Sequence, residues 1–402
     1  MMSAAGGPYS RGMAADLGER LASVRKRRGL TQRDLAEVSG ISVSLIKQLE
    51  QGMRSSCRLE TLRTLAVALG VHTFALQGSG GSDTEWADPS TAQLWAPVRR
   101  ALAGAGEQPA EAPTIDGVRG AFAGLRLLAA GHSYRRIAEY LPDLIRDAEV
   151  LDDSGGRVIR AQILGLTGSM LIHNRQFDTA AEVLARAIDQ APDRGSAASA
   201  VIGLVWSHLR QGQLYNARQL AVRWADDIEP RLSRATSSQL ALWGKLWLYV
   251  ANASVRDAAP GATEDALSLA RAAAERIGRE TLCDSNPNRT FGPVTCAQVA
   301  GECAVIAGHP ERTLAIARSL PPGLTAPKAA SRLRHRLDVA AAHTALRQYA
   351  EAMTVLAEVR DIAPEWLPQQ RYARDTLGKI ITGRRTLTDD MRELADAIRL
   401  EY

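Results

Sequence analysis

The chain has 402 residues, 46% of them hydrophobic and 23% charged, with a formal net charge of +5. That length exceeds what one ordinary core organises, so two or more folded units are expected. No apolar run reaches the roughly 18–20 residues that cross a bilayer, the first residues contain no signal-peptide apolar region, and the four cysteines form no CxxC pair. The expectation is a cytoplasmic protein with reduced thiols, and neither a disulfide framework nor a zinc knuckle.

The charge is unevenly placed. Residues 17–77 hold ten basic and five acidic side chains, a surplus equal to that of the whole chain, and the remainder is neutral. A basic segment on a neutral body is the electrostatic footprint of a nucleic-acid-binding module joined to a domain with another task.

In chain order, residues 1–16 read as a disordered N-terminus. Residues 17–77 read as short helices. Leu21 and Val24 form the apolar face of the first, which Gly29 ends. Thr31 is placed to cap the second, with Asp34 in its first turn, and Leu35, Ala36 and Val38 supply apolar surface. Gly40 suits a tight turn in left-handed backbone. Ile41 points inward, Ser42 caps a third helix with Ile46 and Leu49 as core, and Gly52 ends it. Leu59, Leu62, Leu65, Ala66 and Leu69 form the stripe of a fourth.

Residues 78–117 read as a linker, Gly/Ser-rich at first, with a short helix at 93–103 and then Pro109 and Pro113. Residues 118–402 are helical almost throughout, with strand signals missing. First helices of successive pairs are predicted to start near Val118, Val158, Ala198, Ser238, Val294 and Arg334, a step of about 40 residues widened once by the polar, proline-bearing stretch 280–293. A fixed period of this size predicts a helical solenoid. Several second helices open on a large apolar residue with Ala three places on: Phe177 and Ala180, Leu214 and Ala217, Tyr349 and Ala352. Thr388 is placed to cap a last helix.

The segment RKRRGLTQRDLAEVSGISVSLIKQLEQGMRSSCRLETLRTLAVALGV, residues 25–71, resembles the Xre/Cro-type helix-turn-helix family, the fold of lambdoid phage repressors. It departs from the family after Gly52, where a common proline is missing. The resemblance implies a recognition helix at 42–51, capped by Ser42, whose Val43, Ser44, Lys47 and Gln48 enter the major groove. Gln48 pairs with adenine, Lys47 reaches guanine or a phosphate, Ser44 meets several base edges and Val43 meets a thymine methyl. Thr31 and Gln32 match positions that hold backbone phosphate, and Arg54 and Arg58 add phosphate contacts. Arg25 and Glu50 match a buried ion pair that positions the recognition helix.

Residues 118–360 resemble tetratricopeptide repeats, with a longer period than usual. In such superhelices the first helices line the concave face, so Trp206, Trp243 and Trp247, with Gln239 and Asn252, are candidate ligand-binding residues. Two readings stand: an aromatic wall for an effector, or packing between repeats. The whole layout is similar to peptide-pheromone receptors and to actinomycete-type transcriptional regulators, residues 289–321 especially to the latter. It implies a regulator that binds a pseudo-palindromic operator in double-stranded DNA as a homodimer and answers a small-molecule or peptide effector. A DNA-tethered interaction scaffold without sensing is the competing reading, which a filled concave face would favour.

No HExxH, Walker or dinucleotide-binding pattern is present, and the seven histidines are scattered and expected in loops or at the surface. No catalytic residue, metal site or cofactor is expected. The expected fold class is all-α: a lambda-repressor-like helix-turn-helix domain followed by a tetratricopeptide-like α-solenoid.

Overall fold

The computed structural model describes residues 17–28, 30–54, 57–69, 76, 89–105, 111–320, 330–384 and 388–400. The N-terminal segment 1–16, Gly29 and most of the glycine/serine stretch lie outside them. The chain divides into two compact units, Met1–Trp86 and Ala87–Tyr402.

The first unit holds α1 (Leu17–Arg27), α2 (Gln32–Ser39), α3 (Val43–Glu50) and α4 (Leu59–Ala68). Leu21, Leu35, Ile46, Leu49, Leu62, Leu65, Ala66 and Leu69 converge on one apolar cluster, joined by Leu17 and Leu76. Val38 does not join it; it is 64% exposed, because the covered side of α2 runs through Gln32, Leu35, Ala36 and Ser39, and Val38 lies about 110° from its centre. The α2–α3 turn is set locally. Gly40 sits at φ 69°, which only glycine adopts without steric cost.

The second unit begins with α5 (Pro89–Leu94) and α6 (Ala96–Leu102), where one short helix is expected. Six antiparallel pairs follow: α7 (Ile115–Ala130) with α8 (Tyr134–Glu149), α9 (Ser154–His173) with α10 (Phe177–Asp189), α11 (Arg194–Arg210) with α12 (Leu214–Asp227), α13 (Ser237–Arg256) with α14 (Pro260–Ile277), α15 (Pro293–Ile306) with α16 (Pro310–Ser319), and α17 (Ala330–Ala345) with α18 (Tyr349–Ile362). The predicted first-helix starts fall inside all six first helices. A 3-10 turn (Leu367–Gln369), α19 (Arg371–Gly383) and α20 (Asp389–Ile398) close the chain, with Thr388 capping α20.

One device repeats through the unit. Each pair turns on a single left-handed residue: His132, Arg175, Gly212, Ala258, Gly308 and Arg347, with φ between 52° and 87°. The next residue's N–H then reaches a carbonyl five residues back, as in Ser133 to Leu128, Gln176 to Leu171 and Gln348 to His343, at 2.9–3.1 Å. This bond satisfies a carbonyl that the helix end leaves open. The alanines three places into the second helices, Ala180, Ala217 and Ala352, are completely buried.

First and second helices differ in pattern for a physical reason. On α10, burial follows one face: Phe177, Ala180, Val183, Leu184 and Ala187. On α9 every residue from Leu166 to His173 is buried, and on α13 every residue from Leu240 to Leu246. A helix buried all round has partners on every side. The first helices pack between their second helices and residues 280–293, the polar, proline-bearing stretch that widens the repeat. There, β1 (Thr281–Leu282) and β2 (Thr290–Phe291) pair antiparallel, and the hairpin lies on the first helices. Phe291 is fully buried against Gly244, where a Cβ would come within 2.1 Å of its ring.

The array returns on itself. One apolar cluster combines side chains from residues 95–200 with others from 314–398, and a second lies within 201–303. The turn before α8 and the segment after α18 meet: Glu365 accepts from the Arg135 N–H at 3.0 Å, and the His132 and Trp366 rings stand 6.2 Å apart. Arg210 donates to the Gln370 side chain and the Gln369 carbonyl at 3.2 and 3.1 Å.

Candidate nucleic-acid interface

At about 100° per residue, Val43, Lys47, Gln51, Ser44 and Gln48 cover one arc of α3 roughly 140° wide, and Leu45, Leu49, Ile46 and Glu50 cover the other side. The burial follows this division. Ile46 and Leu49 are fully buried; Val43, Ser44, Lys47 and Gln51 are exposed, and Gln48 is half-buried. The residues not needed by the core are thus polar, basic or small, and they share one face. Ser42 caps the helix, its hydroxyl accepting from the Leu45 N–H at 3.3 Å.

The orientation of that face is fixed from behind. Arg25 on α1 grips Glu50 at the end of α3 with two hydrogen bonds, 2.6 and 2.8 Å, and gives a third, 2.7 Å, to the Leu30 carbonyl. Hydrogen bonding to Glu50 raises the Arg25 pKa. Burial pushes the Glu50 carboxyl up, but hydrogen bonds from Arg25 and Gln32 outweigh it and leave it below its ordinary value. Gln32 completes this brace, donating to Glu50 at 2.7 Å. One of its two amide protons is therefore committed inside the fold, and the other remains for an outside acceptor. Sequence reading assigned Gln32 to phosphate alone and missed this second duty. It also missed Gly18: a Cβ there would fall 2.1 Å from the Leu49 carbonyl oxygen, so glycine lets α1 approach α3 closely.

Thr31 and Asp34 form a reciprocal cap at the start of α2, the Thr31 N–H donating to Asp34 at 2.7 Å and the Asp34 N–H to the Thr31 hydroxyl at 3.1 Å. The Thr31 backbone bond, first, and its hydroxyl hold the Asp34 carboxyl below its ordinary pKa. Thr31, Gln32, Arg33, Val43 and Lys47 line one open depression between the starts of α2 and α3. Arg54 is exposed just past α3, and Arg58 is the exposed N-cap residue of α4, making no side-chain cap bond. Lys26 and Arg33 are also exposed, whereas Arg20 is tied to the Leu76 carbonyl.

Residues 16–74 match a family model described as a helix-turn-helix domain. The first unit is therefore a helix-turn-helix domain, with α2 and α3 as its two namesake helices and Gly40 in the turn. A comparison with curated proteins finds no match to the chain.

The five candidate effector residues do not converge. Gln239 is exposed and caps α13, accepting from the Thr236 N–H at 3.0 Å. Trp243 and Trp247 pack edge to face, 6.1 Å apart, in the middle apolar cluster. Asn252 is buried beside Arg256 and Cys303. Trp206 packs in the other cluster, 4.6 Å from His173. Three histidines expected in loops or at the surface are buried: His132, His173 and His335. Burial first, then His132, Arg210 and Arg289, push the His173 pKa well below its ordinary value. Periodicity placed His173 and His335 on first helices but gave no sign that both sides of those helices are covered. Among the described residues no cluster of His, Cys, Asp or Glu could hold a metal ion, and no helix is long and apolar enough to cross a membrane.

Proposed function

We propose that the chain is a sequence-specific DNA-binding transcriptional regulator with an Xre-type head and a tetratricopeptide-like body. The observation that carries this reading is the exposed arc of α3, held in register by the Arg25–Glu50–Gln32 brace. Ser44, Lys47 and Gln48 offer donors and acceptors of the kind that major-groove base edges require. Thr31, Gln32, Arg54 and Arg58 flank that face with phosphate-binding groups. No catalytic chemistry is assigned to the protein, which acts by binding.

A single head presents one short half-site. We therefore assign homodimerisation to the repeat unit, giving two heads that address a pseudo-palindromic operator in the bacterial cytoplasm. The hairpin of residues 281–291, bonded to α7, α9, α11, α13 and α17, supports the second reading for that unit, a protein-interaction scaffold, over an open aromatic groove.

The test is equilibrium binding of the full chain to labelled duplex DNA across a salt series, with sedimentation equilibrium alongside. Tight binding that weakens steeply with salt, by two chains per site, supports the reading. Binding absent at low salt refutes the DNA-binding function, and a monomer that binds one per site refutes the dimer.

A further inference from the structure

The hairpin of residues 281–291 is bound in the way a foreign peptide would be. Arg289 is 7% exposed. It pairs with Asp284 of the same hairpin and donates to the Ser199 carbonyl on α11 at 2.6 Å and to the Ser169 hydroxyl on α9 at 3.1 Å. Asn288 donates to the Ala129 carbonyl on α7 at 2.8 Å. Lys245 on α13 donates to the Thr290 carbonyl at 3.0 Å, and the Thr290 hydroxyl meets Ser331 on α17 at 3.1 Å. First helices from the first to the last pair therefore share one short segment that belongs to none of them.

Those helices are also the ones whose ends form the closing seam. His132 follows α7, His173 ends α9, and Trp206 and Arg210 lie on α11. The His132, His173 and Trp206 rings meet edge-on in series, and His132 continues the series to Trp366, with His132 6.3 Å from His173 and 6.2 Å from Trp366. In a solenoid, neighbouring repeats set each other's angle, and small angular changes accumulate along the array. A segment that bonds α7, α9, α11, α13 and α17 together constrains that sum, and the sum sets how near Glu365 comes to the Arg135 amide.

We propose that residues 281–291 are a ligand carried in cis, and that their docking holds the array closed at the Arg135–Glu365 seam. The site's specificity is for a guanidinium paired with a carboxylate, seated between the hydroxyls of Ser169 and Ser199, with an asparagine amide beside it and an aromatic ring in the notch at Gly244. A competing partner has to bring that chemistry. The proposal is independent of what the head binds.

Because the coupling is a free energy between two sites, it is reciprocal, and the seam can be opened to test the hairpin. Hydrogen–deuterium exchange on the full chain reads both. Glu365→Ala removes an exposed cap and should raise exchange about tenfold at residues 286–291 as well as at 134–137. Asp284→Asn with Arg289→Met removes both buried charges together, so no ion is left unpaired, and should raise exchange about tenfold at 134–137 and 366–370. A synthetic peptide of residues 281–292 at about 1 mM, the order of concentration that a covalent link supplies, should restore protection at the seam of the double variant. Unchanged hairpin exchange in Glu365→Ala, or hairpin loosening in the double variant with an unchanged seam, overturns the proposal. Failure of the peptide to protect the seam overturns the ligand description.

Discussion

The Glu365 carboxylate accepts a hydrogen bond from the backbone amide of Arg135, 230 residues earlier in the chain, at 3.0 Å. Ser133, the N-cap residue of α8, makes no side-chain cap bond, so the end of the array supplies what the start lacks. The protein thus combines a small head, whose recognition helix is braced from behind, with a helical array whose ends meet.

The close approach at Gly18 sets the first prediction. Gly18→Ala forces α1 and α3 apart, because the new methyl meets backbone and no side chain can swing aside. It should destabilise the head by about 1–3 kcal/mol, as overpacking does. Gly120→Ala, on the exposed face of α7 with nothing within 4 Å, should stabilise its unit by up to about 1 kcal/mol through helix propensity. Urea denaturation of both variants checks the opposite signs.

A buried charge cluster between α13, α15 and α17 sets the second. Glu302 bonds Arg256 and, at 3.2 Å, Arg334. Burial opposes its ionisation, but the two arginines pull the carboxyl down to about 2. Asp338 is 1% exposed, its Oδ1 has no hydrogen-bond partner, and burial followed by Glu302 raises its pKa well above the usual range. The signs are opposite. Glu302 stabilises fully above the ordinary glutamate value of about 4.3, and that stability is lost as pH falls toward 2. Asp338 favours the fold when protonated, and that contribution is lost as pH rises above about 3.9. Glu302→Gln should cost about 3–5 kcal/mol at pH 7 by stranding two guanidinium groups. Asp338→Asn should raise the melting temperature at pH 7 and by less at pH 4. Calorimetry at the two pH values decides both.

Phosphate contacts give the third. Arg54→Ala or Arg58→Ala should reduce the slope of log affinity against log salt by about one, since each neutralised phosphate contributes about 0.9. The loss should be the same for every DNA sequence. Gel shifts of the full chain across a salt series measure it, and an unchanged slope assigns the two arginines to solvent.

Much of this was readable from the sequence because it is local. Thr31, Gly40 and Ser42 announce their caps and turn, and the i, i+3 pairs Phe177–Ala180 and Tyr349–Ala352 mark the second helices. The repeated turn was harder to see, since four of its six left-handed positions are not glycine. What the sequence hid is long-range. Nothing around residues 280–293 says that this stretch folds back over helices as far apart as α7 and α17. Once it does, Trp243, Trp247 and Asn252 lie inside the unit, and Gln239, near the start of α13, caps that helix. His132 and His173 were hidden for the same reason, because their neighbour Trp366 lies far along the chain. Val38 shows the converse limit: an apolar residue type alone does not say which side of a short helix is buried.

The most direct test of the DNA-reading role is selection of bound duplexes from a randomised pool by the full chain and by Gln48→Ala. The account predicts that the natural chain enriches a two-fold symmetric site with half-sites about one helical turn, roughly 34 Å, apart. It predicts that Gln48→Ala relaxes one adenine position in each half-site, at a cost of about 1–3 kcal/mol of discrimination, without lowering the melting temperature. No enrichment from the pool, or an identical site enriched by Gln48→Ala, would contradict it.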